Sequence, residues 1–530
     1  MIIHAYLFEL RAIQPFLFAT GKLRDIVSAS ELIDYLCTEP LAKVLEICKL
    51  TDYHLSELSP RCAGGVFYLL IEDAEKVRQF SHLWPLAVAE LVPGLEQVHV
   101  CAQGDSARSA MAKGLSQLQT ARNYHTVQHP SASPLAMRSP RTGYVATERD
   151  HGEPVDAATA VKRAFVRPQH SKNLTSRFCE EQALNWPDNF EENSAPQKRF
   201  PLAKDNLVGL VHADGNAIGE VLLVLSEATQ ALDKETYVRL YREFSDGLDR
   251  ATCDAARLAC QLVLVPEIAS HSVIPARPLV LGGDDLTVLI KASLALPFTV
   301  QFIKQFEINT ALFLKSLKAS MQANGVEPSV QNRLPEKLTA CAGIAYMKHS
   351  QPFYQGYELA ESLCNRAKNQ SRLALKHPKD AMPSSLSFHK IQGSLADDAD
   401  HLFQLEQVTS SGLELALPVY GINPGQGLPS YEALIALASC FGPGRLNEKR
   451  LRSIATLLHS DVQLAQKDYL RWRSLSAKPF AKQLGEFDDA LKDLVGPISG
   501  DLPANAAKSQ TPLADILSYI SIHGHLASEE

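Results

Sequence analysis

No run of 18 consecutive apolar residues occurs in the 530-residue sequence, so no transmembrane helix and no membrane partner is expected. The start, MIIHAYLFELRAIQPF, lacks the basic opening, long apolar stretch and small-residue cleavage site of a secretory signal. A cytoplasmic protein is the expectation. Cysteine is scattered: ten residues, no C-x-x-C pair, and none between Cys101 and Cys179. That disfavours a disulfide framework and a structural zinc set, and most thiols are expected to be buried and reduced. Basic charge is not in excess either. A formal net charge of −7 argues against a chain that coats nucleic acid unaided, while leaving room for a local basic groove or a basic partner.

What is present is the composition of an ordinary globular protein, 45% hydrophobic and 21% charged, in a chain long enough for several domains. Residues 1–122 read as one unit: strand-like sequence in 5–18, helical sequence in 29–47, a glycine pair with a strand in 63–73, a helix over 74–91 and a strand over 96–102. Residues 123–206 are punctuated by Pro130, Pro134, Pro140, Pro154, Pro168, Pro187, Pro196 and Pro201, and predict a connecting module of short elements with a helix at 157–165.

Residues 207–392 repeat the first order in larger form. LVGLVHA (207–213) is nearly all apolar, as in a strand covered on both faces. Helical sequence fills 216–265. RPLVL (277–281) and LTVLI (286–290) flank Gly-Gly-Asp-Asp, a hairpin signal. A helix over 298–323, a strand over 337–347, a helix over 357–376 and a strand over 385–391 complete the order β-α-β-β-α-β. The expected fold is therefore α+β: two ferredoxin-like palm domains, a connecting module, and a helical C-terminal domain over 393–530. In that last region Leu451, Ile454, Leu458, Val462, Ala465 and Tyr469 recur at spacings of three and four, marking a buried stripe. The nearby Lys449, Arg450, Arg452, Lys467, Arg471 and Arg473 read first as a solvated face, and second as an RNA or partner surface.

The chemistry concentrates in Asp214, Asp284 and Asp285. Asp214 ends the apolar strand in VHADGNAIG, and the other two sit at the hairpin turn. A palm fold makes that strand and hairpin neighbours, so the three carboxylates converge. Clustered carboxylates repel unless a cation lies among them. Oxygen donors without His or Cys suit two Mg²⁺ or Mn²⁺ ions, which can hold a triphosphate and assist phosphoryl transfer. Gly282 and Gly283 would let a nucleotide approach the backbone. A plain Gly-Asp hairpin turn is the alternative. Gly215 and Asn216 open a helical segment whose N–H groups could face phosphate, or form an ordinary turn and cap.

These segments resemble a known family. LVLGGDDLTVLI, ADGNAIG, IQPFLFATGKLRDIVSASELIDYL (13–36), GGVFYLLIEDAEKVRQF (64–80) and LTACAGIAYMKHSQPFYQGYELAESLCNRAK (338–368) are similar to the large polymerase-cyclase subunit of type III CRISPR effector complexes. The helical tail resembles that family's C-terminal domain. The resemblance implies a nucleotidyltransferase that converts ATP to cyclic oligoadenylate in an antiviral complex, with other effector subunits, CRISPR RNA and target RNA as partners. It implies two ATP molecules between the palms, metals held by Asp214, Asp284 and Asp285, and phosphate contact by Lys368, by analogy with the Ala-Lys pair of GGDEF cyclases. Two departures are visible. No His-Asp dipeptide occurs among the 17 histidines, so no HD nuclease is expected, and MRSPRTGYVA (137–146) replaces a zinc-binding stretch without cysteine. Gly64 and Gly65 precede Val66 and Phe67 instead of acids, so the first palm is expected to be inert. A catalytically silent scaffold subunit and a stand-alone cyclic nucleotide synthase are the alternatives.

Overall fold

The structure is a computed structural model that describes residues 2–50, 55–124, 133–168, 173–181, 184–230, 232–268, 270–377, 380–391, 393 and 398–524. Pro130 and the domain boundary drawn after residue 392 lie outside the described residues.

The first unit runs β1 (Ile3–Arg11), α1 (Ile13–Phe18), α2 (Leu23–Leu36), α3 (Glu39–Ile47), α4 (Leu55–Leu58), β2 (Arg61–Ala63), β3 (Val66–Ile71), α5 (Ala74–Leu91), β4 (Glu96–Gly104) and α6 (Ala107–Ala121). Its antiparallel sheet has the order β2-β3-β1-β4. Tyr6, Phe8, Phe67, Phe80 and Trp84 pack together on one face, each essentially without exposure. Two expected elements divide. The strand-like stretch 5–18 ends at Arg11, because Ala12 takes φ +50° and turns the chain into α1. The helical stretch 29–47 breaks at Thr38, beside Pro40 at the start of α3, where a missing N–H is tolerated. The three-residue β2 carried no signal in the sequence. With it, Gly64 and Gly65 form the turn of a β2–β3 hairpin, both at positive φ.

The connecting segment contributes a small hairpin, β5 (Ala146–Asp150) and β6 (Glu153–Asp156), then α7 (Ala157–Ala164) and α8 (Leu174–Phe178). Asp156 caps α7 by accepting from the Thr159 N–H at 3.0 Å. The buried Arg163 guanidinium bonds Asp25 of α2, Asp150 and Glu153, which fastens this hairpin to the first unit.

The second unit runs β7 (Leu207–Gly215), α9 (Ile218–Ala228), α10 (Lys234–Ala259), β8 (Ala276–Gly282), β9 (Asp285–Lys291), α11 (Ala292–Ala323), α12 (Pro328–Gln331), β10 (Ala340–Lys348), α13 (Phe353–Leu373) and β11 (Ser385–Lys390). Its sheet order, β11-β10-β7-β9-β8, repeats that of the first unit with β11 added in parallel on the far edge, where β12 (Tyr420–Gly421) extends it. The expected burial of β7 on both faces holds. Leu207, Val211 and Ala213 face a core with α10 and α11, whereas Val208 and Leu210 face a core shared with α1, α2 and β3 of the first unit. The two units therefore pack through one continuous apolar layer.

The C-terminal region is helical: α14 (Ala399–Gln407), α15 (Tyr431–Ser439), α16 (Glu448–Ser460), α17 (Val462–Ser476), α18 (Ala481–Val495) and α19 (Leu513–His523). The stripe over 447–473 is buried as expected at Leu451, Ile454, Leu458, Ala465 and Tyr469, but Asp461 divides it into two helices and caps the second. Most of the nearby basic residues are exposed; Arg473 pairs with Asp488 of α18. α19 is tied to β12 by Asp515, which is buried and accepts from the Leu417 N–H at 2.7 Å and the Tyr420 hydroxyl at 2.6 Å. All ten cysteines are free, and most are buried.

Candidate active site

The antiparallel register of β7 and β9 sets Asp214 directly opposite Asp285. Paired residues in such a ladder project from the same face, so both carboxylates point toward the first unit. Asp284, in the turn between β8 and β9, joins them. One carboxylate oxygen from each of the three lies within 4.8 Å of the others. Among the described residues this is the one group of three acidic, His or Cys side chains so arranged.

The cluster is electrostatically strained. Burial, reinforced by the Asp214 charge, pushes the Asp284 carboxyl up to about 7. Burial, Asp214 and Asp284 together push Asp285 up to about 8. One cation answers this charge from the protein itself. Lys368, on α13, donates to the Asp214 carboxylate and, at 3.4 Å, to the Gly215 carbonyl. Burial works against the Lys368 charge, but the bond and attraction to Asp214 outweigh it and hold the ammonium above its ordinary value. Two residues back along β7, His212 shares a hydrogen bond with Thr287 Oγ1 at 3.1 Å, and burial pushes its imidazole down to about 4, so it adds no charge at neutral pH.

Two glycines are required here by space and conformation. A Cβ on Gly215 would stand 2.9 Å from the Asp284 Cβ, so any side chain would displace that carboxylate. Gly283 takes φ +61°, a conformation L side chains rarely adopt. Gly282 lies next to it at the end of β8, opposite Asp285. Asn216 is placed differently from the others. Its side chain is buried, and its Nδ2 donates to Thr339 Oγ1 at 3.0 Å and to Cys341 Sγ at 3.4 Å, which ties the end of β7 to the start of β10. The buried Asn216 Oδ1 has no protein partner. The helix after it starts only at Ile218, with Ala217 at φ +65°.

The turn is held from behind by residues that sequence reasoning missed. Asp249 Oδ1, on α10, accepts from the Gly283 N–H at 3.2 Å, and the Thr252 hydroxyl donates to the Gly283 carbonyl at 2.6 Å. Arg177, on α8, donates to Asp249 and to the Leu281 carbonyl. No local motif marks these positions; only the packing of α8 and α10 behind the hairpin brings them there.

The turn separates two cavities. One, of about 460 Å³, lies between the units and is lined by Ile33, Cys37, Gly64, Arg177, Gly282 and Asp285, among others. The other, of about 770 Å³, is lined by Arg61, Arg108, Tyr237, Gly219, Gly283 and Asp284, among others. Each is large enough for a nucleotide-sized ligand. The donor set also fits divalent magnesium or manganese: three hard oxygen ligands, no nitrogen or sulfur, and a surplus of negative charge that a single ammonium only partly offsets.

No family model matches the chain, and no curated protein matches its sequence. Solved structures do. A Csm1–Csm4 cassette in complex with cA3 matches 98% of this chain and 69% of its own at a TM-score of 0.50 and 11% identity. The cA4 complex gives 98%, 70%, 0.50 and 11%. The complex with pppApApA gives 98%, 69%, 0.51 and 11%. The chain shares the mixed α/β fold of Csm1. At 11% identity the likeness to Csm1 is one of fold, and it runs across nearly the whole of this chain. Among the described residues, no helix is long and apolar enough to cross a membrane.

Proposed function

We propose that the chain is a nucleotidyltransferase that makes cyclic oligoadenylate from ATP, working as the paired-palm, GGDD-bearing subunit of an RNA-guided antiviral complex. The observation that carries this reading is the convergence of Asp214, Asp284 and Asp285 at a turn between two nucleotide-sized cavities. The fold shared with Csm1 supports it, since those Csm1 structures hold cA3, cA4 and pppApApA beside Csm4. ATP and a further effector subunit are accordingly the expected partners, with CRISPR RNA and target RNA reached through the complex.

Asp214, Asp284 and Asp285 would hold the divalent ions, and Gly283, where a Cβ would meet nothing within 4 Å, leaves space in which phosphate can approach the backbone. Such ions supply charge neutralisation for a triphosphate and activation of a 3′-hydroxyl. The chain's own part is placement, because transfer of this kind depends mainly on positioning and electrostatics. In each step a 3′-oxygen forms a bond to an α-phosphorus, the bond to pyrophosphate breaks, and the hydroxyl proton leaves to solvent. Lys368 would contact a phosphate by exchanging its hold on Asp214. The first unit, with Val66 and Phe67 after its glycine pair, lacks acids at its own hairpin and completes the pocket instead.

Retention of labelled ATP by the purified protein in the presence of Mn²⁺ tests the reading at the level of binding. Wild type should retain ATP in a Mn²⁺-dependent way and Asp284→Ala/Asp285→Ala should not; equal retention by both would remove the acids from the site.

A further inference from the structure

Arg177 belongs to none of the motifs, yet it touches three elements around the acid-bearing turn. Its Nη1 donates to Asp34 Oδ1 of α2 at 2.7 Å. Its Nη2 donates to Asp249 Oδ1 of α10 at 3.0 Å and to the Leu281 carbonyl of β8 at 2.8 Å. Its own carbonyl accepts from Arg257 Nε at 3.0 Å, which fixes the backbone that carries it. Asp249 passes the contact on, since the same Oδ1 takes the Gly283 N–H. The fit is close: a Cβ on Gly282 would meet Asp249 Oδ1 at 3.3 Å and Arg177 Nη2 at 3.4 Å.

The guanidinium lines the inter-unit cavity, and a phosphate-binding role is the obvious thought. Its partners argue otherwise. Two carboxylates and a carbonyl already take its donors, so it offers an incoming anion little charge. Its geometry serves a different purpose. A planar fork can hold three acceptors at fixed angles, which a lysine ammonium on a flexible stem cannot do. Asp34 is held on its other oxygen by Arg167, which also bonds Glu31, so the end of α2 is itself fixed. The chain of contacts thus runs from α2 of the first unit, through Arg177 and Asp249, to the Gly282–Gly283 peptide of the turn that carries Asp284.

We propose that Arg177 is a positioning residue that fixes the Gly282–Gly283 turn against the first unit and thereby sets the divalent-metal affinity of the Asp214–Asp284–Asp285 cluster. The inference rests on the metal-dependent reading of that cluster. Groups that orient metal ligands from outside typically affect affinity by about 10–100-fold, which sets the size of the expected effect.

The test measures Mn²⁺ binding to the full chain by loss of the free-ion electron paramagnetic resonance signal, with thermal unfolding measured alongside. Arg177→Lys should bind Mn²⁺ at least about tenfold more weakly than wild type. Arg177→Ala/Asp249→Asn removes the carboxylate left without a partner while keeping an acceptor for Gly283; it should recover thermal stability relative to Arg177→Ala but not Mn²⁺ affinity. Arg473→Ala, which breaks the comparable Arg473–Asp488 pair on the C-terminal helices, should lower stability and leave Mn²⁺ affinity alone. Wild-type affinity in Arg177→Lys, or recovery of affinity together with stability in the double variant, overturns the proposal while leaving the metal reading in place. Absence of Mn²⁺ binding by wild type overturns the metal reading, and this proposal with it.

Discussion

Asp214 and Asp285 stand opposite each other across β7 and β9, and each sharpens the other's need for a cation. Replacing both turn acids should therefore relieve repulsion in the metal-free protein and remove its response to metal. Mn²⁺ at a hundred times its dissociation constant should stabilise the wild type by about 2.7 kcal/mol, and so raise its unfolding temperature. Asp284→Ala/Asp285→Ala should show no such rise. Differential scanning calorimetry with and without Mn²⁺ makes the comparison.

Gly215→Ala tests whether space at the end of β7 matters. The added methyl would meet the Asp284 Cβ at 2.9 Å. A folded protein less stable by about 1–3 kcal/mol is expected, with weakened Mn²⁺ binding and loss of nucleotide product. Unchanged Mn²⁺ affinity, read by titration calorimetry, would show that Asp284 can move without consequence.

Lys368→Met separates two roles of one side chain. The ammonium competes with a metal for Asp214, so its removal should leave Mn²⁺ affinity unchanged or tighter. If Lys368 also meets substrate phosphate, the KM for ATP should rise at least about tenfold, the loss of one charge-assisted contact. A fall in Mn²⁺ affinity would contradict this division.

Asp515 supplies a pH signature independent of catalysis. Complete burial pushes its carboxyl up to about 7, in spite of the bonds from Tyr420 and Leu417. Between the ordinary carboxylate value and about 7 the folded state holds a proton that the unfolded state has lost, so this group's contribution to stability is full below that window and declines as pH rises through it. Asp515→Asn keeps an acceptor for both donors and has no proton to lose. It should raise the unfolding midpoint at pH 8 and leave it nearly unchanged near pH 4, as thermal melts across that range would record.

The legible parts of this protein are those written in contiguous sequence. An apolar strand ending in Asp214 and two short strands around Gly-Gly-Asp-Asp are legible in themselves, and their adjacency follows from the β-α-β-β-α-β order, whereas the register that sets Asp214 opposite Asp285 is visible only in the sheet. β2 escaped notice because three residues, Arg61–Ala63, carry no periodicity, although the Gly64–Gly65 turn that follows it was visible. Arg177, Asp249 and Thr252 escaped for another reason. Their role depends on α8 and α10 packing behind the hairpin, and α8 is a five-residue helix in a proline-punctuated segment. Asn216 shows the converse: a residue beside the motif whose amide serves the sheet, bonding Thr339 and Cys341 across to β10.

The most direct test of the central claim is product formation from labelled ATP with Mg²⁺ or Mn²⁺, using the chain together with whatever copurifies from its host, with and without RNA complementary to any bound guide. The account predicts RNA-stimulated cyclic oligoadenylate from wild type and none from Asp284→Ala/Asp285→Ala. Equal product from that variant, or no product from a complex that still binds its target RNA, would contradict it.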